Sequence, residues 1–320
     1  MNIRILLTLA CAASPVTAIA QEPAAKQSMK MMALPIEKVD AGTHWFIKAQ
    51  VDGETVDLLV DSGSSYTAIY SKALADKLGK KLESSNGVSG VAGKVKSWKT
   101  TFDKVRVGGG LNLKKTPSQV LDLSHLEGFK VNGQPRVVSG LIGAPLLSAA
   151  RAVFDPENNR ILVPTSETKP GEYLKLAKAR KDIVVPLAKG GDSLPFIKVD
   201  IKGETLGFVF DTAAGDSTMQ PELVEHFKLK TQALGGGVRG AGTGGSTELS
   251  WTMVEKPLIG KKLQVSKHAF VIVDSHAKSV VPDGMKLGGV LSVRRLKSFK
   301  GLIDFDSYSY IIPRAGVKKQ

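Results

Sequence analysis

The arrangement of apolar and polar positions predicts a hairpin early in the chain. Trp45 to Val51 and Thr55 to Val60 alternate or run apolar on either side of Asp52-Gly53, a pair whose turn chemistry joins two antiparallel strands. The same pattern returns around Lys202-Gly203. After each hairpin the apolar period lengthens to that of a short helix. Ser71 to Leu78 opens on a serine suited to cap the first turn, and Pro221 to Phe227 opens on a proline where a first helical turn tolerates it. Short strands and short helices then alternate, which predicts a mainly β chain of strongly curved or closed small sheets with minor helices.

These recurrences share one register. Phe46-Ile-Lys-Ala-Gln-Val-Asp-Gly-Glu-Thr55 is echoed 150 residues later by Phe196-Ile-Lys-Val-Asp-Ile-Lys-Gly-Glu-Thr205. The same shift sets Leu58-Leu-Val-Asp61-Ser-Gly63 on Phe208-Val-Phe-Asp211-Thr-Ala213, and Gly87-Val-Ser-Gly90 on Gly237-Val-Arg-Gly240. Near the end the register slips by one, with Gly140-Leu-Ile-Gly143 answered by Gly289-Val-Leu-Ser292, and Phe154-Asp155 by Ile303-Asp304. Self-similarity sustained over so long a stretch signifies two copies of one lobe. The expected division is a leader over 1–20, a polar lead-in over 21–33, a first lobe over 34–164, a linker over 165–182 and a second lobe over 183–316. Lys, Glu and Pro170-Gly171 mark the linker, for which partial helix is expected.

An Asp-Ser/Thr-Gly triplet has little meaning in isolation, because a turn aspartate after a strand is common. Here Asp61-Ser62-Gly63 follows an apolar strand, precedes a helix and recurs as Asp211-Thr212-Ala213. Two such loops related by a pseudo-twofold axis would bring the carboxyl groups together. Like charges roughly 3 Å apart cannot both ionise near neutral pH, so the pair would hold one proton and supply an acid and a base at once.

On these residues the chain resembles the bacterial retropepsin-like and pepsin-like aspartic peptidases, over about residues 34 to 313. The resemblance rests on the two Asp loops, the Gly-rich stretch Gly87-Val88-Ser89-Gly90-Val91-Ala92-Gly93, the element Leu141-Ile-Gly143 with its following helix, and the duplication itself. It implies a two-lobed acid-protease fold and peptide-bond hydrolysis by Asp61 and Asp211 through a bound water. It further implies that Ser62 and Thr212 brace the loops, that Gly63 fits between them and that the Ser64 hydroxyl supports the carboxylate. Residues 87–93 would form the substrate flap, although a plain hairpin tip accounts equally for their glycines. Polypeptides would be the substrates, no cofactor or metal is implied, and one chain would suffice as a monomer.

The second copy departs from the family at three positions. Ala213 stands where glycine is usual, Ala214 lacks a hydroxyl, and Ser292 replaces the counterpart of Gly143. At Ala213 a β-carbon enters where the loops approach closely; either it is tolerated or it tilts Asp211 away from the shared water. The second outcome would leave a binding or assembly protein of the cell envelope on a peptidase fold.

Composition narrows the remaining classes. The formal charge of +14 is carried by lysines with little aromatic interleaving, which suits solubility and gives no footprint of nucleic-acid binding. Gly235-x-Gly237-x-x-Gly240 matches a dinucleotide motif by letters, but no strand is expected ahead of it and no helix behind it. The five histidines have no metal-ligand spacing and read as structural, while Asp155, Asp304 and Asp306 read as solvated turn residues. Arg4, the apolar run Ile5 to Ala13 and Thr17-Ala18-Ile19-Ala20 form a signal-peptide pattern with cleavage expected after Ala20. The run is too short for a membrane span. Cys11, the sole cysteine, lies inside it, so the mature chain has no disulfide; lipid anchoring at Cys11 is the alternative. A periplasmic or secreted location follows as the expectation.

Overall fold

Both expected hairpins form in the computed structural model, and for the same backbone reason. Strand Trp45–Val51 turns through Asp52 and Gly53, at φ 48° and 96°, into strand Glu54–Asp61. Pro195–Ile201 turns through Lys202 and Gly203, at φ 48° and 87°, into Glu204–Asp211. Two consecutive left-handed residues give a two-residue loop whose twist matches that of the strands. The residues described are 29–42, 44–90, 93–113, 115, 117–233, 239–242, 245–248, 250–274 and 280–314. The expected leader with Cys11 and most of the lead-in therefore lie outside the described residues, as do Val91, Ala92 and His276.

In each lobe a second strand runs parallel to the Asp strand. Gly140–Gly143 pairs with Leu58 to Asp61, so that Gly143 lies opposite Asp61. Leu287–Ser292 pairs with the second Asp strand through a register shift beside Gly207, and Ser292 lies opposite Asp211. Short helices follow the Asp loops. Lys72–Lys77 is capped by Ser71, whose Oγ accepts from Leu74 N–H at 3.1 Å, and Pro221–His226 begins on its proline.

The lobes are joined by strand pairing. The order Ile183–Pro186, Ser309–Ile312, Leu302–Asp304, Val153–Asp155, Arg160–Pro164, Met31–Lys38 makes one continuous run, with Val153 opposite Asp304 at the crossing between copies. Met31 to Leu34 are already paired with Ile161 to Pro164, so the ladder starts ahead of the lobe boundary expected at residue 34. The expected linker contains helix Glu172–Ala179. Tyr308 donates its hydroxyl to Ser193 O at 2.9 Å and meets Ser148 Oγ at 3.1 Å, tying the helix Ala144–Ala149 of the first lobe to the second.

At this junction the sequence expectation for three aspartates is corrected. Asp155 and Asp304 are buried, at 2% and 0% exposure. Asp155 accepts from Asn158 Nδ2 and from Arg160 Nε at 2.8 Å. Asp304 accepts from Asp306 N–H at 2.9 Å and from the Ser307 hydroxyl, while its burial raises its pKa. Asp306 receives a two-pronged contact from Arg151 at 3.0 and 3.1 Å. The turns do follow the lobe helices, but each lies against the other lobe, which removes the water an isolated turn would keep.

Of the Gly-rich stretch, Glu83–Gly90 and Gly93–Thr101 form an antiparallel hairpin, with a register shift between Ser85 and Val88. Val88 is buried and packs with Phe46, Leu59 and Leu141. In the second lobe Arg239–Gly242 pairs with Gly245–Glu248.

Candidate active site

Each Asp ends a buried strand: Leu58, Leu59 and Val60 lead to Asp61, and Phe208, Val209 and Phe210 lead to Asp211. A rigid strand therefore delivers each carboxyl group to the place where the lobes meet. The next residue in each loop reaches across. Ser62 Oγ donates to Phe210 O at 2.7 Å and accepts from Thr212 N–H at 3.0 Å. Thr212 Oγ1 donates to Val60 O at 2.7 Å and accepts from Ser62 N–H at 3.0 Å. Both side chains are essentially inaccessible, at 0% and 1% exposure. Four reciprocal bonds between residues about 150 apart in sequence lock one loop to the other.

Thr212→Val keeps the volume and removes the hydroxyl, leaving Val60 O and Ser62 N–H buried without their partner. Each such orphaned group costs about 1–3 kcal/mol. Urea unfolding is expected to show Thr212→Val destabilised by roughly 2–4 kcal/mol.

Within this frame the two carboxyl groups are neighbours, each acting on the other's protonation, and a β-carbon on Gly63, two residues after Asp61, would meet the Asp211 carboxylate. Gly63 N–H donates to Asp61 Oδ1 at 3.0 Å, and Ala213 N–H donates to Asp211 Oδ1 at 2.6 Å. Burial, followed by the repulsion of Asp211, lifts the Asp61 carboxyl well above the ordinary value of 3.8. Burial also raises Asp211, against the opposing pull of the Ala213 and Ala214 amides. The pair thus takes up and releases its protons as a unit and retains one above the ordinary aspartate range.

Gly63 is required by space. A β-carbon there would stand 2.5 Å from Asp211 Cγ. Ala213 carries that carbon in the other loop, and its N–H still reaches Asp211. The Ser64 hydroxyl accepts from Tyr66 N–H at 3.3 Å, and its backbone N–H donates to the Asp61 backbone carbonyl at 3.2 Å. Among the described residues no group of three or more His, Cys, Asp or Glu side chains is arranged to hold a metal ion.

Two further residues have a part in the site. The hydroxyl of Ser292, which the sequence marked only as a departure from glycine, donates to Ala214 O at 2.6 Å, and Nη1 of Arg294, which the sequence did not single out, donates to Gly215 O at 3.2 Å. Arg294 stands two residues after the counterpart of Gly143, so the repeat could have found it.

The family model described as aspartyl protease matches the chain twice, over residues 47–146 and 197–292. The chain belongs to the aspartyl protease family, as two tandem copies with a mainly β, two-lobed fold. Solved structures similar to it include a retropepsin-like aspartic protease from Rickettsia conorii, 22% identical, covering 42% of this chain and 92% of that one with a TM-score of 0.31. Others are the aspartic proteinase from Irpex lacteus, 11% identical over 90% and 100% of the two chains with a TM-score of 0.43, and basic 7S globulin from soybean, 11% identical over 91% and 98% with a TM-score of 0.44. None of the curated proteins compared matches the chain.

Proposed function

We propose that this chain is an exported aspartic endopeptidase that hydrolyses polypeptides through a water activated by Asp61 and Asp211. The single observation that carries the reading is the pair of neighbouring, buried carboxyl groups on two loops locked by Ser62 and Thr212. In the working state the pair holds one proton. The ionised carboxylate takes a proton from the water, whose oxygen attacks the peptide carbonyl carbon, while the protonated carboxyl donates to the carbonyl oxygen. A tetrahedral diol forms. Its collapse returns a hydroxyl proton to the pair, and a proton from the pair passes to the departing nitrogen as the C–N bond breaks.

An extended substrate would lie under the strands Glu83–Gly90 and Gly93–Thr101, where the sequence expectation puts the flap at 87–93. Both carboxyl groups come from one chain, so a monomer suffices. The leader pattern over 1–20 supports export to the periplasm or medium, and amino-terminal sequencing of the mature protein is expected to begin at Gln21.

The pH profile tests the mechanism. Activity should fall on the acid side as the pair takes a second proton, and on the alkaline side as the last proton leaves. Because Asp61 is raised, the alkaline limb is expected to lie above the ordinary aspartate value of 3.8. A peptide inhibitor with a tetrahedral secondary alcohol at the scissile position should suppress cleavage of denatured casein. A profile flat across this range, or indifference to the inhibitor, would refute the shared-proton reaction. Inhibitor binding without any cleavage would instead favour the binding-protein reading raised by Ala213.

A further inference from the structure

The two catalytic loops are held by different chemistry, although the repeat sets them residue on residue. In the first lobe both anchors are backbone to backbone: Gly143 N–H donates to Thr67 O at 3.1 Å, and Ala144 N–H donates to Ser64 O at 3.0 Å. A side chain has no room there, since a β-carbon on Gly143 would stand 2.8 Å from Ser64 O. In the second lobe Ser217, Ala214 and Ser292 occupy the places of Thr67, Ser64 and Gly143. Side chains now make both anchors. Ser292 N–H donates to Ser217 Oγ at 3.1 Å, and the Ser292 hydroxyl donates to Ala214 O at 2.6 Å.

The Ser217 hydroxyl needs a further partner. It is fully buried, and its oxygen already accepts from Ser292, so its own proton must go to an acceptor. His268 Nε2 stands 2.9 Å away and supplies one. A neutral imidazole keeps one unprotonated nitrogen, and burial, followed by the charge of Arg295, lowers the His268 pKa to about 4. Arg295 is itself paired with Asp216, the residue before Ser217. His268 lies on the strand Lys267–Ile272 opposite Val254, and its ring tilts against Phe270 at a centroid distance of 4.6 Å. Phe270 in turn meets Phe208 of the second Asp strand at 5.5 Å. The imidazole is thus fixed against the strand that delivers Asp211.

We propose that His268 is a positioning residue for the second catalytic loop, acting on it through Ser217 and Ser292. By accepting the Ser217 proton it turns a lone pair of that oxygen toward Ser292 N–H, and this holds the residue whose hydroxyl reaches Ala214 O. Ala213 then sits between two pins. On one side Thr212 is locked to Ser62 and Val60, and on the other Ala214 is tied to Ser292. The Ala213 N–H between them donates to Asp211 Oδ1 at 2.6 Å. The first lobe holds its loop by backbone alone at these places, so the relay serves the copy in which Ala213 and Ser292 replace glycine.

The proposal rests on the peptidase reading, and its test separates the two. His268→Phe keeps a ring against Phe270 and removes the acceptor, His268→Gln restores an acceptor, and Ser292→Ala removes the pin on Ala214. Aspartate carboxyl-carbon NMR of the full chain, titrated with pH, reads the pair without requiring activity. Loosening the Ala213 N–H is expected to raise the upper apparent pKa of the pair in His268→Phe and in Ser292→Ala, and His268→Gln is expected to return it toward wild type. In casein hydrolysis each of the two damaging substitutions should lower kcat about tenfold, with KM changed by less than roughly twofold. Because both cut one relay, the double variant should also be slowed about tenfold, where independent sites would give about a hundredfold. A wild-type titration in His268→Phe, no recovery in His268→Gln, or losses that multiply in the double variant overturn the proposal. Ser217→Ala cuts the middle link and is read in the same way where His268→Phe does not fold. A wild-type protein that cleaves nothing would refute the peptidase reading, and the titration of the same variants would still decide the role of His268.

Discussion

Replacing Asp61 by asparagine, or Asp211 by asparagine, is expected to lower kcat on a denatured protein by roughly 10³–10⁴-fold. An amide at either position can neither hold the shared proton nor draw one from water, so the remaining carboxylate has lost its counterpart. The same Asp61→Asn substitution is expected to stabilise the fold at neutral pH. Asp61 is raised above its unfolded value, so its favourable contribution is complete below the ordinary aspartate range and is lost as pH rises through the folded value. Above that range the wild-type protein bears the cost of a buried, repelled charge. Removing that cost should add roughly 0.5–2 kcal/mol, as relief at strained functional sites commonly does. Thermal unfolding at two pH values checks the sign: a gain at neutral pH that shrinks in acid. Activity lost together with stability gained would also exclude unfolding as the cause of inactivity.

Gly63→Ala should be nearly as damaging to catalysis, by a steric route. The added methyl would stand 2.5 Å from Asp211 Cγ, closer than any real side chain tolerates, and the carboxyl group must move. A displacement of about 1 Å in a reacting group costs on the order of 10²-fold in rate. Steady-state kinetics should show that loss in kcat, and the pair's titration should change as the carboxyl groups separate. Retained wild-type kcat would mean that the close approach of the loops is not needed for the reaction. The contrast with Ala213 is instructive, because a β-carbon at the matching place in the second loop coexists with an intact N–H bond to Asp211. The second loop is held by Ser292 and Arg294, while the first is packed flush against Gly143.

That contrast changes the meaning of the second copy's departures. Ser292 reads in sequence as a lost glycine, yet its hydroxyl and its N–H both hold the loop that follows Asp211. Ala214 has no hydroxyl to offer, but its carbonyl accepts from Ser292. The second half of the site is therefore built with different contacts around the same backbone path.

Much of the architecture was legible because it is written locally or repeated. Asp52-Gly53 and Lys202-Gly203 specify turns within two residues. Ser71 announces a helix start three residues from the amide it caps. The 150-residue register carried the first Asp loop onto the second, and after its one-residue slip matched Ser292 to Gly143, which lie opposite Asp211 and Asp61 respectively. What remained hidden has neither a short span nor a period. Tyr308 meets Ser148 across the two lobes, and nothing near either residue in sequence marks the contact. Asp155 and Asp304 look like solvated turn residues until Val153 pairs with Asp304 and covers both.

The amino-acid sequence by itself determined two copies of one mainly β lobe, the hairpins and helix starts within each, and two acidic loops at matching places. Those depend on side-chain period and turn geometry, which act over a few residues. Only the tertiary structure decided that the two carboxyl groups become buried neighbours, that Ser62 and Thr212 are mutually buried, and that side chains take over from backbone in holding the second loop. Such outcomes depend on docking surfaces well over a hundred residues apart along the chain. Their energies arise from water excluded when those surfaces close, a quantity that no local stretch of residues encodes.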